Sequence, residues 1–385
     1  VSVLYWRPGT EMALSAAELA FARQGALHDC RTDGRQRLEV RPVTVARGTL
    51  AYANGSATAS IGHTGAAGSR SGETTVVTAA VSCDVAEATG PLVDGEPRLG
   101  DVRFNVDVEQ FGAPAAANVV EGGATAGPSN FHRREIEQSL VRALVGAYGV
   151  PEADDASPEE VAARYTPLSG AKTTPAALLQ RARDAKPAGI DRSSLYISHG
   201  HAFVLVIDVQ VRASAAGNVL GAALAAIRCA VADTLLPTPT VTVNDGIAAV
   251  HLNNKQRTRR VDASACPLAV SVAIDPSAGV YVADPTPCEE RAFPFVGHMA
   301  IATDGNTEND SSRHHRIVWA SVAGARRPEA SAEGLDSIRR ASGVGAGMSS
   351  AELAALLGEA SGALFNSVAH SVRDSDAGED DKTTD

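Results

Sequence analysis

Apolar and polar positions along the first hundred residues alternate in short runs broken by glycine, and this spacing predicts strands rather than helices. The runs are Leu38–Val45, Thr49–Ala53 and Ser56–Ile61, with Asn54-Gly55 as the turn between the last two, followed by Thr74–Val81 and Val102–Glu109. The early runs read as an antiparallel meander. Ahead of them, Met12-Ala13-Leu14-Ser15 opens an amphipathic stretch that reaches Ala26, and residues 1–11 read as an extension. The period changes at Phe131. From there to Ala147, Ile136, Leu140, Leu144 and Ala147 recur at steps of three and four, the apolar stripe of a helix, with Arg133, Arg134, Glu137 and Arg142 largely on its other faces.

Residues 148–190 carry many Pro, Ala and acidic positions with little strand signal and read as an insertion, in which Pro175–Ala185 could be a helix opened by its proline. Leu195–Ser198 and Ala202–Val211 flank the turn His199-Gly200-His201 as a hairpin, where a second sheet is expected to begin. Gly217–Leu236 is apolar on nearly every face, the pattern of a helix buried on several sides, and Pro237 and Pro239 should end it. Strands follow at Val241–Val243, Ala269–Ile274, Gly279–Ala283 and His298–Thr303. Ser349–Val372 reads as a helix with the capping box Ser349-x-x-Glu352, and the acidic end, Asp374–Asp385, as a disordered tail. Strands then helix, twice over, is an α+β order.

Composition narrows the classes of function. With 385 residues, 44% of them hydrophobic, the chain can bury a large core and is not disordered as a whole. Its five cysteines stand far apart with no Cys-x-x-Cys pair, which argues against a disulfide framework or a structural zinc site and for a reducing compartment. No run is apolar for the roughly 20 residues that span a bilayer, so no membrane partner and a soluble, intracellular protein are expected. A net charge of −11 disfavours a surface coated by nucleic acid but leaves room for a local basic patch.

Several segments, in order, resemble the RNase PH family, which includes the six ring subunits of the exosome. Arg31-Thr-Asp33-Gly34-Arg35 matches its opening Arg-x-Asp-Gly-Arg, and Asn54-Gly55-Ser56-Ala57 with Gly62-His63-Thr64 its Gly-Ser-Ala and Gly-x-Thr strand pair. Glu135-Ile-x-x-Ser139-Leu-x-Arg142 is similar to the family's first long helix, and Ile207-Asp208-Val209 leading to Gly217-Asn218 to its central strand and second helix. The most specific piece, Asp284-Pro285-Thr286-x-x-Glu289-Glu290, resembles the catalytically inert lineage. The resemblance covers residues 14–145 and 190–372 and implies an RNase PH-like fold of two ββαβα-type halves with polar insertions. Residues 1–30 are then an extension and helix, 31–190 the first half with its insertion at 148–190, and 191–373 the second half with an insertion near 304–333. Residues 374–385 are the tail. It also turns Gly334–Ala341 into a strand before the Gly345–Gly347 turn.

The chemistry that the family's active members need is missing at the matching positions. Where they carry Gly-Thr-Arg or Gly-Ser-Arg to hold phosphate, this chain reads Ala215-Ala216-Gly217-Asn218; where they carry the catalytic Asp before a strand, it reads Ala265-Cys266-Pro267. Asp262, three residues earlier on a strand, would face the other way and lie about 10 Å off. His199 and His201 lack a third ligand, His314-His315 sits in a polar insertion, and Cys83, Cys229 and Cys266 read as core residues, so neither a metal nor a cofactor is expected. Glu289-Glu290 reads as structural, and Arg31 and Arg35 either as local ion pairs or as RNA contacts. The resemblance implies RNA contact at Arg142, helped by Arg133 and Arg134, with Lys255, Arg257, Arg259 and Arg260 as a denser basic run in an irregular stretch. It implies a non-catalytic ring subunit of the eukaryotic exosome core that channels single-stranded RNA to a 3′→5′ exoribonuclease for RNA processing and decay. Its partners would be other RNase PH-like subunits and S1/KH cap proteins, in the nucleus, nucleolus and cytoplasm. The alternative is a phosphate-dependent 3′→5′ exoribonuclease, alone or in a composite site.

Overall fold

Alternating Thr, Val and Ala in residues 74–81 and the run Phe203–Val211 make the two long strands around which the first sheet is built. In the computed structural model, which describes residues 15–62, 74–88, 99–109, 128–148, 189–244, 247–275, 278–303 and 315–324, that sheet has six strands. They are β1 (Val43–Arg47), β2 (Gly55–Gly62), β3 (Thr74–Glu87), β4 (Asp101–Val108), β5 (Tyr196–Ser198) and β6 (His201–Ser214). Their order is β1-β2-β3-β6-β4, with β5 paired to β6. All pairs are antiparallel except β4 with β6. Ile207, Val209 and Val211 of β6 are buried while Asp208, Gln210 and Arg212 are exposed, the alternation of a sheet with one covered face.

The cover is α3 (Val219–Asp233), whose Ala222, Ala223, Ala225 and Ala226 are fully buried. Alanine leaves the helix slim enough to touch β1, β2, β3 and β6 on one side and β9 (Leu268–Asp275) on the other. β9 belongs to a second, antiparallel sheet with β10 (Val280–Ala283), β11 (Phe295–Thr303) and β12 (His315–Gly324), in the order β10-β9-β11-β12. Every residue of β9 is buried. A third, two-stranded ribbon pairs β7 (Leu235–Asn244) with β8 (Ile247–Arg260).

Three further helices complete the frame. α1 (Ala16–Leu27) is opened by a capping box of Ser15 and Glu18, and it packs on α4 (Pro287–Ala292), burying Ala26 with Ala273, Val282 and Phe293. Arg23 ties it to β9 by donating to Asp275 at 2.9 Å. α2 (Pro128–Tyr148) lies along β4 and β12; Leu140, Leu144 and Ala147 of the expected stripe are buried, as is Ala143. Among the described residues no helix is long and apolar enough to cross a membrane.

The α+β class is as the pattern predicts, and five details differ. Thr49–Ala53 forms no strand; it lies in the connection that joins β1 to β2, Asn54 included. The hairpin His199-Gly200 turns on left-handed φ values of 49° and 80°, but β6 does not open a second sheet. It enters the first, between β3 and β4, because its long apolar run can be buried only against both. Residues 247–260, expected as an irregular stretch, form a strand whose register breaks twice, with extra residues of β8 bulged opposite Pro237, and the prolines of β7 sit in an isolated ribbon that tolerates their missing N–H. The insertion expected near 304–333 contains β12, whose Ile317 and Trp319 pack on the core. α4 was hidden because six residues are too few for periodicity to show. Residues 1–14, His63-Thr64, 149–188 with Pro175–Ala185, His314, Arg326-Arg327, Gly334–Ala341, Ser349–Val372 and the tail lie outside the described residues.

Candidate functional site

After α1 the chain turns through Arg31-Thr-Asp33-Gly34-Arg35, and Gly34 takes the φ of 82° that a side chain would resist. This turn sends two arginines inward. Arg31 is buried and uses all five donors: Nε and Nη2 grip Glu289 Oε1 and Oε2 at 2.8 and 2.6 Å. Its remaining N–H groups donate to the carbonyls of Glu39, Ala283 and Asp284. Arg35 donates from Nε to Asp33 at 2.7 Å and from Nη1 to Asp284 Oδ2 at 3.0 Å. A third arginine, Arg41, donates from Nε and Nη2 to the two oxygens of Asp284 at 2.7 Å each, and from Nη1 to the Ala216 carbonyl at 2.6 Å.

Asp284 is the hub of this network. Its backbone is left-handed (φ 45°), and besides Arg35 and Arg41 it accepts from the Arg41 N–H at 2.9 Å and from Asn218 Nδ2 at 2.8 Å. Burial alone would raise its pKa; the hydrogen bonds and charge of Arg41, then Arg35, outweigh burial and hold the carboxyl below the usual range. The rest of the motif caps α4: Thr286 is the N-cap, its hydroxyl accepts from Glu289 N–H at 3.3 Å, and Thr286 N–H donates back to Glu289 Oε2 at 2.8 Å. Glu289 is therefore a capping residue and the counter-ion of Arg31 at once. Glu290, half-buried beside it, is pushed up to about 7, chiefly by burial and against the pull of Arg41.

The loop Ala215–Asn218 enters α3 here. Gly217 (φ 72°) and Asn218 (φ 49°) are both left-handed, and Asn218 caps the helix by accepting from Gly221 N–H at 3.1 Å. Its Oδ1 also accepts from the buried Ser271 hydroxyl at 2.9 Å, and Ser271 Oγ lies 2.9 Å from His298 Nδ1. Ser271 has one proton, and Asn218 Oδ1 can only accept, so that proton goes to Asn218 and His298 Nδ1 must donate. Burial keeps the imidazole below its ordinary pKa and neutral. The pair thus resembles a nucleophile and base in distance only. The space enclosed by Arg41, Asn218, Ser271 and Asp284 is about 10 Å³, room for one water molecule.

The other sequence candidates fall apart in space. Ala265 accepts a backbone bond from Gly189 N–H at 2.9 Å, and Asp262 lies in a turn, not on a strand, where Ser264 N–H and Oγ donate to it at 2.8 and 3.0 Å. His201 Nδ1 lies 3.2 Å from the His199 carbonyl inside the hairpin. Burial pushes the thiols of Cys83 and Cys266 up to about 12, far from a reactive thiolate. On α2, Arg134 and Arg142 are exposed with Gln138 between them. Position 133 precedes Leu140 by about two turns and Leu144 by about three, which puts it in line with the buried stripe and on the opposite side of the helix from 142. Arg257 donates to the Ala53 carbonyl at 3.0 Å, and Arg259 to that of Ser194. Arg31 and Arg35 make long-range pairs as well as the local one with Asp33. Sequence reasoning missed Arg41 and Ser271 and named Asn218 only as part of the loop into the second helix; the one available signal for Arg41 was a fourth arginine within ten residues of the first, after Arg35 and Arg37.

No protein-family model and no curated protein matches this sequence. By structure the chain is similar to a chain described as archaeal exosome core, at 16% identity over 84% of this chain and 90% of that one, with a TM-score of 0.44. It is also similar to a chain of an Archaeoglobus fulgidus exosome with RNA bound to the active site (18% identity, 84% and 92% covered, TM-score 0.43). A third is Rrp46 of rice, Oryza sativa (15% identity, 88% and 100% covered, TM-score 0.37).

Proposed function

We propose that this chain is a non-catalytic, RNase PH-like subunit of an exosome-type ring, close to the inert lineage. The reading is carried by one observation: Arg31-x-Asp-x-Arg35 and Asp284-Pro-Thr-x-x-Glu289, two of the motifs that carry the sequence resemblance, meet side chain to side chain in one buried network. Residues that match a family's motifs separately, some 250 positions apart, here act as a unit.

The second half of the proposal, absence of catalysis, is supported by the loop into α3. It carries no cationic side chain, and the nearest guanidinium, Arg41, is committed to Asp284 and Ala216. The space beside it is about 10 Å³, room for one water molecule. The ring closes by contacts with other RNase PH-like subunits under S1/KH caps, and RNA threads past exposed arginines of α2 to a separate 3′→5′ nuclease, in nucleus, nucleolus and cytoplasm.

Affinity purification of the tagged chain with mass spectrometry tests the assembly, and incubation with single-stranded RNA and inorganic phosphate tests the chemistry. Recovery with other RNase PH-like subunits and no release of nucleoside diphosphates is expected. Phosphate-dependent shortening that survives stringent purification would replace the proposal with the phosphorolytic reading.

A further inference from the structure

The connection between β1 and β2 is held rigid at both ends. Gly48 N–H donates to the Ser56 carbonyl at 2.8 Å and Leu50 N–H to Ser56 Oγ at 2.9 Å. Asn54 N–H donates to the Val81 carbonyl at 2.8 Å, and Leu235 N–H, at the start of β7, to the Asn54 carbonyl at 3.0 Å. On this pinned loop Tyr52 is 99% exposed and Leu50 47%. A large ring in water adds little to the fold, and because the loop that carries it is already ordered, binding has its side-chain rotamers but not its backbone left to fix.

Basic residues gather at the same end of the sheet. Arg257 reaches from β8 to the carbonyl of Ala53, the residue after Tyr52. Ribbon pairing sets Arg260 opposite Leu235, whose backbone is bonded to Asn54. Arg47 falls on the same side of β1 as the buried Val43 and Val45, at the strand end where the loop begins. Residues 235–260 hold Lys255, Arg257, Arg259 and Arg260 against Asp245 alone, in a chain of net charge −11. The nearby Asp233 carboxylate accepts from Ser56 N–H at 3.1 Å.

We infer that Tyr52, with Leu50 and the arginines Arg47, Arg257 and Arg260, is a platform for single-stranded RNA. The phenol ring stacks on an unpaired base while the guanidiniums meet the flanking phosphates. Every base has a π face and every nucleotide a phosphate, so the platform takes any unpaired sequence and rejects duplex, whose base faces are hidden. This surface lies apart from α2 and adds a second contact to the RNA role proposed above, on which it rests.

Binding of a fluorescein-labelled oligouridine 15-mer to the full chain, followed by anisotropy across a salt series, tests it. Tyr52→Ala, a change at a fully exposed site that leaves folding alone, should weaken binding about tenfold with the salt slope unchanged, since stacking carries no counterions. Tyr52→Trp should restore affinity and show indole quenching by the stacked base, and Arg260→Gln should lower the slope by about 0.7. Unaltered affinity in Tyr52→Ala overturns the inference. So does unaltered RNA affinity together with loss of a co-purifying protein, which makes the surface a protein interface. If Arg134→Glu/Arg142→Glu abolishes binding and Tyr52→Ala does not, the α2 reading stands and this one falls. No binding by the wild-type chain overturns both.

Discussion

Gly146 of α2 lies directly against the indole of Trp319 on β12, so close that a Cβ at 146 would overlap the ring. The bare backbone there lets the helix and the edge strand of the second sheet lock together, which makes residues 315–324 part of the frame. Gly146→Val should cost about 1–3 kcal/mol through overpacking. Trp319→Ala, at a half-buried ring, should cost about 2 kcal/mol, the low side of the range for aromatic truncation. Urea unfolding with both variants and their double reads this out. If the contact is as described, the double variant costs less than the two singles together.

The bidentate pair of Arg31 and Glu289 is fully buried, and each charge is tolerated only because of the other. Glu289→Gln or Arg31→Met should each cost about 3–5 kcal/mol, since removing one partner leaves the other desolvated and unpaired. Arg31→Met combined with Glu289→Leu should recover part of that loss. Denaturant midpoints of the three variants are the measurement. Costs that simply add would mean that the two side chains act independently.

Much of this architecture is legible in the sequence, and the failures share a cause. The stripe of Leu140, Leu144 and Ala147 and the all-round apolar α3 are local patterns, and both helices form there, although α3 ends at Asp233 and Pro237 and Pro239, expected to end it, lie within β7. What periodicity cannot carry is pairing. That β6 enters the first sheet beside β4, or that Arg41 meets Asp284 across 243 positions, depends on contacts that leave no local trace. The bulge in β8 broke the alternation that would have marked it as a strand. Arg31 and Glu289 could be named from their motifs, but their bond could not be read from spacing. Spacing alone puts Asp262 on a strand, whereas it lies in a turn set by its own side chain.

The carboxyls of this network respond to pH in opposite senses. Asp284, held low by Arg41 and Arg35 against the burial that would raise it, contributes stability that is present above the unfolded pKa near 3.9 and lost as pH falls through its depressed folded value. Glu290 is raised from 4.5 to about 7, first by burial, so its favourable contribution is complete below pH 4.5 and is lost as pH rises towards 7. The loss amounts to about 3 kcal/mol. Glu290→Gln should therefore melt higher than the wild type at pH 8 and match it at pH 4. A variant less stable than the wild type at pH 8 would show that the ionised carboxylate is needed.

The two exposed arginines of α2 should steer RNA by charge and not by base identity, because phosphates recur whatever the sequence. Arg134 and Arg142 lie about two turns apart on the solvent side with Gln138 between, a spacing of about 12 Å that can span successive phosphates of an extended strand. Position 133 sits on the other side of the helix, in line with Leu140 and Leu144. In an assembled ring, Arg134→Glu with Arg142→Glu should weaken binding equally for unrelated single strands and reduce the salt slope by roughly 0.7 for each lost phosphate contact. Arg133→Glu should leave the slope alone. The buried stripe is untouched by the first pair, so a thermal melt should report a folded helix in that variant. An unchanged slope in a folded double variant would mean that these side chains only solvate the helix, whereas a slope that falls with Arg133→Glu would place the RNA path against the other side of α2.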